Sequence, residues 1–95
     1  MTVYAVAQLT ITDRTAYDRY RDGFMATLQP FGGRLLAADE SPRIIEGRWP
    51  GDKVVIIAFE DEAQFDAWAS SPAYVRIAAD RKAGSHGPVL LIRGS

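Results

Sequence analysis

The stretch that decides the fold is Lys53 to Phe59, with the sequence KVVIIAF. Successive side chains of a strand point to opposite faces of its sheet, and residues 54–57 are all large and apolar. Both faces of this strand are therefore expected to be buried, which is typical of a central strand. The helices predicted elsewhere in the chain can cover one face of a small sheet. We expect a second copy of the chain to cover the other, giving a homodimer paired through its sheet faces.

Length and composition limit what the protein can be. Its 95 residues, 47% of them hydrophobic and 24% charged, are ordinary for one globular domain spanning residues 1–95. The 11 Lys and Arg residues against 12 Asp and Glu give a net charge of −1, so the basic excess typical of a nucleic-acid-binding protein is missing. There are no cysteines, which excludes disulfides and thiolate metal sites.

The sequence carries no targeting or membrane signal that we recognise. The opening residues, MTVYAVAQLT, lack the basic segment of a secretory signal peptide. No apolar run approaches the roughly 18 residues that a membrane-spanning helix needs. These features predict a cytoplasmic protein with no membrane partner.

The first third of the chain predicts a strand and then a long helix. Val3 to Thr10 alternates apolar with mixed side chains, which indicates a strand with one apolar face. Thr12-Asp13 offers an N-cap to the helix, and Gly32-Gly33 ends it, because glycine adopts the left-handed conformation that closes helices. One apolar stripe on this helix is expected to pack on the sheet: Tyr17, Tyr20, Phe24, Leu28 and Phe31.

A second strand with an interruption is predicted next. It begins at residues 34–38 (RLLAA) and resumes at residues 43–46 (RIIE), with DESP between them. Pro42 has no amide to donate to a neighbouring strand, so the interruption is expected at a bulge or an edge. A turn then leads into the central strand.

The last third predicts a helix that breaks and restarts. Asp61 can cap the helix, and the segment Ser70-Ser71-Pro72 interrupts it. Ser71 as N-cap and Pro72 at the first helical position restart it at once. Residues 83–88 are expected to form a loop, and Val89 to Arg93 the final strand.

These elements predict an α+β fold with the ferredoxin-like order βαββαβ. In that fold, two right-handed crossovers place both helices on one face of a four-stranded antiparallel sheet. The face left open is the one that the central strand requires to be buried. The arrangement therefore fits the expected pairing of two sheets.

Four pieces of the sequence carry a family resemblance: GGRL at 32–35, EGRWP at 46–50, AWASSPAY at 67–74, and the later Arg81. Together they resemble the family called domain of unknown function 1330, over nearly the whole chain. The resemblance implies a dimeric α/β barrel, in which two such sheets pack face to face, with a small-molecule cavity between each sheet and its helices. It implies no established chemistry. Members often have tyrosine after the tryptophan of the third piece, where this chain has Ala69.

His86 is the only histidine and the only candidate for a catalytic residue. A histidine in a glycine-rich loop can act as a general base, since its ordinary pKa lies near 6.5. The alternative is an exposed loop residue without a role. With one histidine, no cysteine and no acidic cluster at ligand spacing, we expect neither a metal ion nor a bound cofactor.

The helix break provides the best candidate for a binding site. Trp68, Ser71 and Tyr74 surround it, and free backbone amides at the restart can meet a polar ligand atom. In the alternative interpretation Trp68 is a core residue, Ser71 a cap and Tyr74 a packed ring. Arg34 and Arg81 are candidates for polar groups in the same site, although ion pairs between strands or across an interface explain them equally well.

Two classes of function remain open. One is a protein that binds a small apolar or aromatic metabolite between sheet and helices, and the other is a cofactor-independent enzyme of the oxygenase or isomerase type that uses the same site. Oxygenases of this architecture commonly use an asparagine near the substrate, and this chain has none. A cavity lined by aromatic residues, with Arg or His86 at its mouth, favours either class over a simple assembly module. The expected aromatic lining is Tyr17, Tyr20, Trp68 and Tyr74.

Overall fold

The computed structural model describes residues 1–95 and has one antiparallel sheet with its helices packed on one face. In chain order the elements are β1 (Val3–Ile11), α1 (Arg14–Leu28), a 3-10 turn (Gln29–Phe31), β2 (Arg34–Asp39), β3 (Lys53–Phe59), α2 (Glu62–Ala69), α3 (Pro72–Gly84), β4 (Ser85–His86) and β5 (Val89–Arg93). The strands lie in the order β2-β3-β1-β5, every neighbour is antiparallel, and the short β4 pairs with the end of β1. This is the ferredoxin-like arrangement predicted from the sequence.

The two central strands bury alternate side chains beneath the helices. Val3 lies opposite Phe59 and Ala5 opposite Ile57, and all four residues are buried. The predicted stripe of α1 covers them, with Tyr17, Tyr20, Phe24 and Leu28 buried and Phe31, on the 3-10 turn, half-buried. Burying a side chain of this size contributes roughly 1.5–3 kcal/mol, so this layer holds the helices on the sheet.

The opposite face of the sheet carries no helix. Val6 on β1 lies between Ile56 on β3 and Leu90 on β5, so apolar side chains extend across the strands on this face. Leu90 is 51% exposed and Ile92 is 47% exposed. The Trp49 indole reaches this face too, where its Nε1 donates to Oε1 of Gln8 at 3.3 Å. β3, which carries apolar side chains on both faces, thus has one face covered by helices and one face left open.

The first helix ends as predicted, but each glycine contributes differently. Asp13 is the N-cap, and its carboxylate accepts from the amides of Thr15 and Ala16. At the other end the 3-10 turn containing Pro30 tightens the last residues, and Gly32 closes it with a φ of 68°. The backbone of Gly33 is not left-handed. A Cβ there would overlap the side chain of Leu28, so this glycine is needed for close packing.

The predicted resumption of the second strand at residues 43–46 is wrong. β2 contains an irregularity between Leu35 and Ala37 and ends at Asp39, which pairs with Val54. β3 begins at Lys53, only one residue before Val54. A longer β2 would therefore find almost no further residue of β3 to pair with. Ile44 and Ile45, which suggested a strand, are instead exposed in the connection.

The predicted loop at residues 83–88 is shorter than expected. α3 continues to Gly84, and Ser85 and His86 form β4 opposite Ile11 and Thr10. The carbonyl of Gly84 also accepts from the amides of Thr12, at 2.8 Å, and Asp13, at 3.1 Å. These long-range bonds fix the start of α1 against the end of α3, which a local sequence pattern does not reveal.

Candidate functional site

A cavity of about 360 Å³ lies between the inner face of the sheet and the helices. Its walls come from β1, α1, β2, β3, α2, α3 and β5, so the whole fold contributes to it. Cavities of roughly 300–1,000 Å³ with mostly apolar walls are typical of small-molecule sites. The position is the one that the sequence predicted for a ligand.

Aromatic rings form much of the cavity wall, and they come from all three helices. The ring centroids of Trp68 and Tyr74 are 3.9 Å apart, and the Tyr20 ring meets that of Tyr74 edge-on at 6.2 Å. The Trp68 indole is fixed by donation from Nε1 to the hydroxyl of Thr27 at 3.2 Å. The complete aromatic lining is Tyr17, Tyr20, Phe24, Phe65, Trp68 and Tyr74.

Two tyrosine hydroxyls meet inside this wall. The hydroxyl oxygens of Tyr20 and Tyr74 are 3.2 Å apart and share a hydrogen bond. Burial raises the pKa of the Tyr20 phenol well above its ordinary value, and the neighbouring Tyr74 raises it further. The positive charge of Arg81 opposes this rise. Tyr20 therefore stays a neutral donor and acceptor at physiological pH.

The helix break positions Trp68 and Tyr74, with Ser71 between them. The buried Ser71 hydroxyl donates to the carbonyl of Trp68 at 2.8 Å and accepts from the amide of Tyr74 at 3.3 Å. Its hydrogen-bonding capacity is used within the turn, and it does not line the cavity. Ser71 therefore holds the two rings in place, as an N-cap, and does not itself face a ligand.

The structure separates the remaining predicted site residues into two groups. Tyr20, Trp68, Tyr74 and Arg81 line the cavity together. Arg34 lies exposed on the outer strand β2 and does not reach it. His86 is also exposed and outside the cavity, because its backbone is paired with Thr10 in β4.

Lys53 is a cavity residue that the sequence analysis did not single out. Its side chain is only 6% exposed, and its Nζ lies 4.8 Å from the centre of the Tyr17 ring, as in a cation–π interaction. A lysine at the start of an apolar strand normally extends its ammonium into solvent, so Lys53 was not expected in a cavity wall. The one available signal was its place on the inward-facing register of β3, opposite Leu9.

A surface ion pair lies next to Lys53. The guanidinium of Arg14 contacts both carboxylate oxygens of Glu40, at 2.7 and 2.8 Å, and Nζ of Lys53 lies 3.7 Å from one of them. The hydrogen bond from Arg14 lowers the pKa of Glu40 to about 2, and the charges of Arg14 and Lys53 act in the same direction. Glu40 therefore remains a carboxylate and stabilises the buried ammonium of Lys53 across physiological pH.

Two further findings concern metals and membranes. No group of three or more His, Asp or Glu side chains is arranged to hold a metal ion. None of the helices combines the length and apolar character needed to cross a bilayer. The cytoplasmic location expected from the sequence stays a prediction.

The family was established by comparison with known proteins. The family model described as "Domain of unknown function (DUF1330)" matches residues 2–95. The chain belongs to the DUF1330 family. The resemblance seen in the GGRL, EGRWP and AWASSPAY segments is therefore confirmed. None of the curated proteins matches the chain significantly.

Solved structures similar to this DUF1330 chain share its fold at low sequence identity. A protein of unknown function from Rhodopseudomonas palustris aligns over 99% of this chain and 82% of its own, with 17% identity and a TM-score of 0.81. A dimeric ferredoxin-like protein of unknown function from Jannaschia sp. aligns over 99% and 100%, with 19% identity and a TM-score of 0.73. SnoaB, a cofactor-independent oxygenase from Streptomyces nogalater, aligns over 99% and 93%, with 17% identity and a TM-score of 0.67.

Ala69, where this DUF1330 chain departs from the tyrosine that members often carry, lies in the cavity wall. It follows Trp68 at the end of α2 and is half-buried. Alanine is much smaller than tyrosine at this position. The departure therefore leaves space in the cavity and removes a hydroxyl from its wall.

Proposed function

We propose that the protein binds a small, largely apolar or aromatic molecule in the cavity between sheet and helices. The observation that carries this proposal is the cavity itself, at about 360 Å³ and with apolar or aromatic side chains for 18 of its 22 lining residues. A filled core would have favoured an assembly module instead. Well-packed interiors rarely contain voids larger than a water molecule, so an opening of this size on an inner apolar face supports a ligand site.

A neutral fluorescent probe tests this proposal. N-phenyl-1-naphthylamine is apolar and aromatic, and its fluorescence rises when it leaves water. We expect saturable binding to the protein and loss of that binding in Ala69→Phe, whose added ring occupies the cavity. Ala67→Phe is the matched control, since Ala67 lies exposed on the same helix and outside the cavity. Equal binding by both variants would show that the probe lies elsewhere.

The proposal includes a homodimer formed through the open face of the sheet. Val6, Ile56 and Leu90 leave a continuous apolar surface there, on the face that has no helix. The Jannaschia protein, which has the same fold, is dimeric. Burying several aliphatic side chains from each subunit is worth a total comparable with the cost of association. Light scattering at micromolar concentration should therefore give twice the mass of the 10.5 kDa chain.

A second candidate function is a cofactor-independent enzyme of the oxygenase or isomerase type in the same cavity. The buried ammonium of Lys53 favours it, because a charge held inside an apolar cavity can stabilise an anion that forms during a reaction. The fold likeness to SnoaB is support by analogy only. Oxygen uptake with a panel of hydroxylated aromatic compounds tests it. Uptake that disappears in Lys53→Met would support the oxygenase. An isomerase consumes no oxygen and would instead convert a compound of the panel without uptake, so the absence of both uptake and conversion would favour the binder.

A further inference from the structure

The charge in the cavity wall has one sign. The four lining residues that are neither apolar nor aromatic are Arg21, Lys53, Arg81 and Lys82, and no lining residue is acidic. The chain as a whole has a net charge of −1, so this excess of positive charge is local. An apolar cavity bordered only by cations attracts an anion, because charges interact more strongly where water is excluded.

The four cations differ in how well the protein itself neutralises them. Arg21 lies 3.4 Å from a carboxylate oxygen of Asp18 and 3.6 Å from one of Asp22. Lys53 has Glu40 at 3.7 Å. Lys82 is exposed to solvent. Arg81 has no salt bridge, and its Nε is buried without a hydrogen-bond partner.

A buried guanidinium nitrogen without a partner is costly. Leaving a buried donor without an acceptor destabilises the folded protein, and more strongly when the donor is charged. Buried polar groups in folded proteins are therefore almost always paired, and an exception needs an explanation. Arg81 lines the cavity and forms an ion pair with no carboxylate of the protein, so an anion bound in the cavity would supply its missing counter-charge.

The Tyr20–Tyr74 pair supplies a second donor near Arg81. Tyr74, Ala78 and Arg81 lie on one side of α3, since residues four and three positions apart share a helix face. In the bond between the two hydroxyls, one oxygen donates and the other accepts. The accepting hydroxyl keeps its own hydrogen, which is free for an acceptor on a ligand.

We propose that the ligand is an aromatic carboxylate, whose carboxylate binds Arg81 and the free hydroxyl of the tyrosine pair while its ring packs against Trp68 and Tyr74. This inference rests on the proposed binding function and narrows its ligand class. A guanidinium presents parallel N–H donors that match the two oxygens of a carboxylate. One free guanidinium and one hydroxyl suit a single negative charge, whereas a phosphate dianion calls for more donors.

The test compares two ligands of the same shape, 2-naphthoate and the neutral 2-naphthamide, by isothermal titration. We expect the wild-type protein to bind naphthoate about tenfold or more tightly than the amide, the size of a charge-assisted hydrogen bond. In Arg81→Gln the two affinities should become similar, through loss of naphthoate binding alone. Arg81→Lys should retain part of the preference. Arg76→Gln, which removes an exposed arginine outside the cavity on the same helix, should change neither affinity.

Each other result overturns the inference in a recognisable way. Equal wild-type affinities for the two ligands would leave a cavity that binds aromatic molecules and reject the anion. A preference for naphthoate that survives in Arg81→Gln would reject Arg81 as its partner. If neither ligand binds while N-phenyl-1-naphthylamine does, only this inference fails. If none of the three compounds binds, the proposed function fails with it. The amide affinity of Arg81→Gln also reports whether that variant retains the cavity.

Discussion

Gly32 and Gly33 are neighbours, yet the structure restricts them for different reasons. Gly32 has a φ of 68° and open space around it, so alanine there is strained by its backbone alone, at about 1–2 kcal/mol. A Cβ at Gly33 would meet Leu28 and, at 2.9 Å, a ring carbon of Phe59, and such overpacking costs about 1–3 kcal/mol. Both alanine variants should therefore lower the urea midpoint.

Asparagine separates the two causes. It tolerates the left-handed conformation better than alanine, so Gly32→Asn should recover part of the lost stability. Gly33→Asn should be at least as unstable as Gly33→Ala, because the larger side chain meets the same atoms. The assignment would be contradicted by equal recovery at both positions, or by an alanine variant at either position that is as stable as the wild type.

Tyr20 should keep its proton in the folded protein at a pH at which a tyrosine of the unfolded chain has lost its own. Burial raises the pKa of its phenol, so at a pH of about 11 it remains neutral in the folded protein while an unfolded chain, with a tyrosine pKa near 10, ionises. The unfolded state then binds fewer protons, so the contribution of Tyr20 to stability, complete below pH about 10, decreases as the pH rises above it. Phenolate absorbance checks this in a pH titration of the folded protein. At a pH of about 11, the folded Tyr20→Phe variant should give the same phenolate absorbance as the wild type, because Tyr20 has not ionised there. A smaller absorbance in the variant would contradict the assignment.

At the scale of elements, the junction of α2 and α3 depends on one serine more than on its neighbour. Ser71 is buried, caps α3 and bonds to both Trp68 and Tyr74, whereas Ser70 is exposed and bonds only to carbonyls of its own helix. Loss of a serine N-cap costs about 1 kcal/mol. Ser71→Ala should therefore lower the thermal midpoint and weaken probe binding, because the two rings lose their fixed spacing. Ser70→Ala is the control and should change neither quantity appreciably.

The connection between β2 and β3 shows how an element boundary is set by its partner. Ile44 and Ile45 have high strand propensity, but the pairing of Asp39 with Val54 already brings β2 to the beginning of β3. A strand without a neighbour has no ladder to join, so these residues form an exposed connection. The short β4 shows the converse, since the extension of β1 to Ile11 gives Ser85 a partner in a segment expected to be a loop.

At the scale of the whole molecule, the open face of the sheet should control the oligomeric state. Leu90 is 51% exposed in the single chain, so Leu90→Asp should cost the subunit little while placing a charge in the proposed interface. We expect this variant to be a monomer by light scattering, with its circular dichroism unchanged. Val75→Asp is the matched control, because Val75 is 55% exposed on α3, in the layer on the other side of the sheet. It should remain a dimer, and a wild-type protein found as a 10.5 kDa monomer would overturn the interface.

Much of the fold could be predicted from local sequence patterns. The apolar run of β3, the stripe of α1 and the caps at Asp13, Asp61 and Ser71 were all recognisable, because each depends on neighbours a few residues apart. The order of these elements then predicted the ferredoxin-like sheet, and its aromatic residues indicated the face on which a cavity lies. Trp68 and Tyr74 were identified for the same reason, since they flank a visible break in a helix.

Only the tertiary structure decided what the cavity contains. Tyr20 and Tyr74 are 54 positions apart in the chain, and their hydrogen bond exists because α1 and α3 pack side by side. The same packing places Arg81 at the cavity, whereas strand pairing holds Arg34 and His86 away from it. Lys53 resembled an ordinary charged residue at a strand end, and its burial beside Tyr17 depends on the register of β3 against β1. The identity of the side chains determined which helices and strands form. The packing of those helices and strands against one another determined which charged side chains line the same apolar cavity.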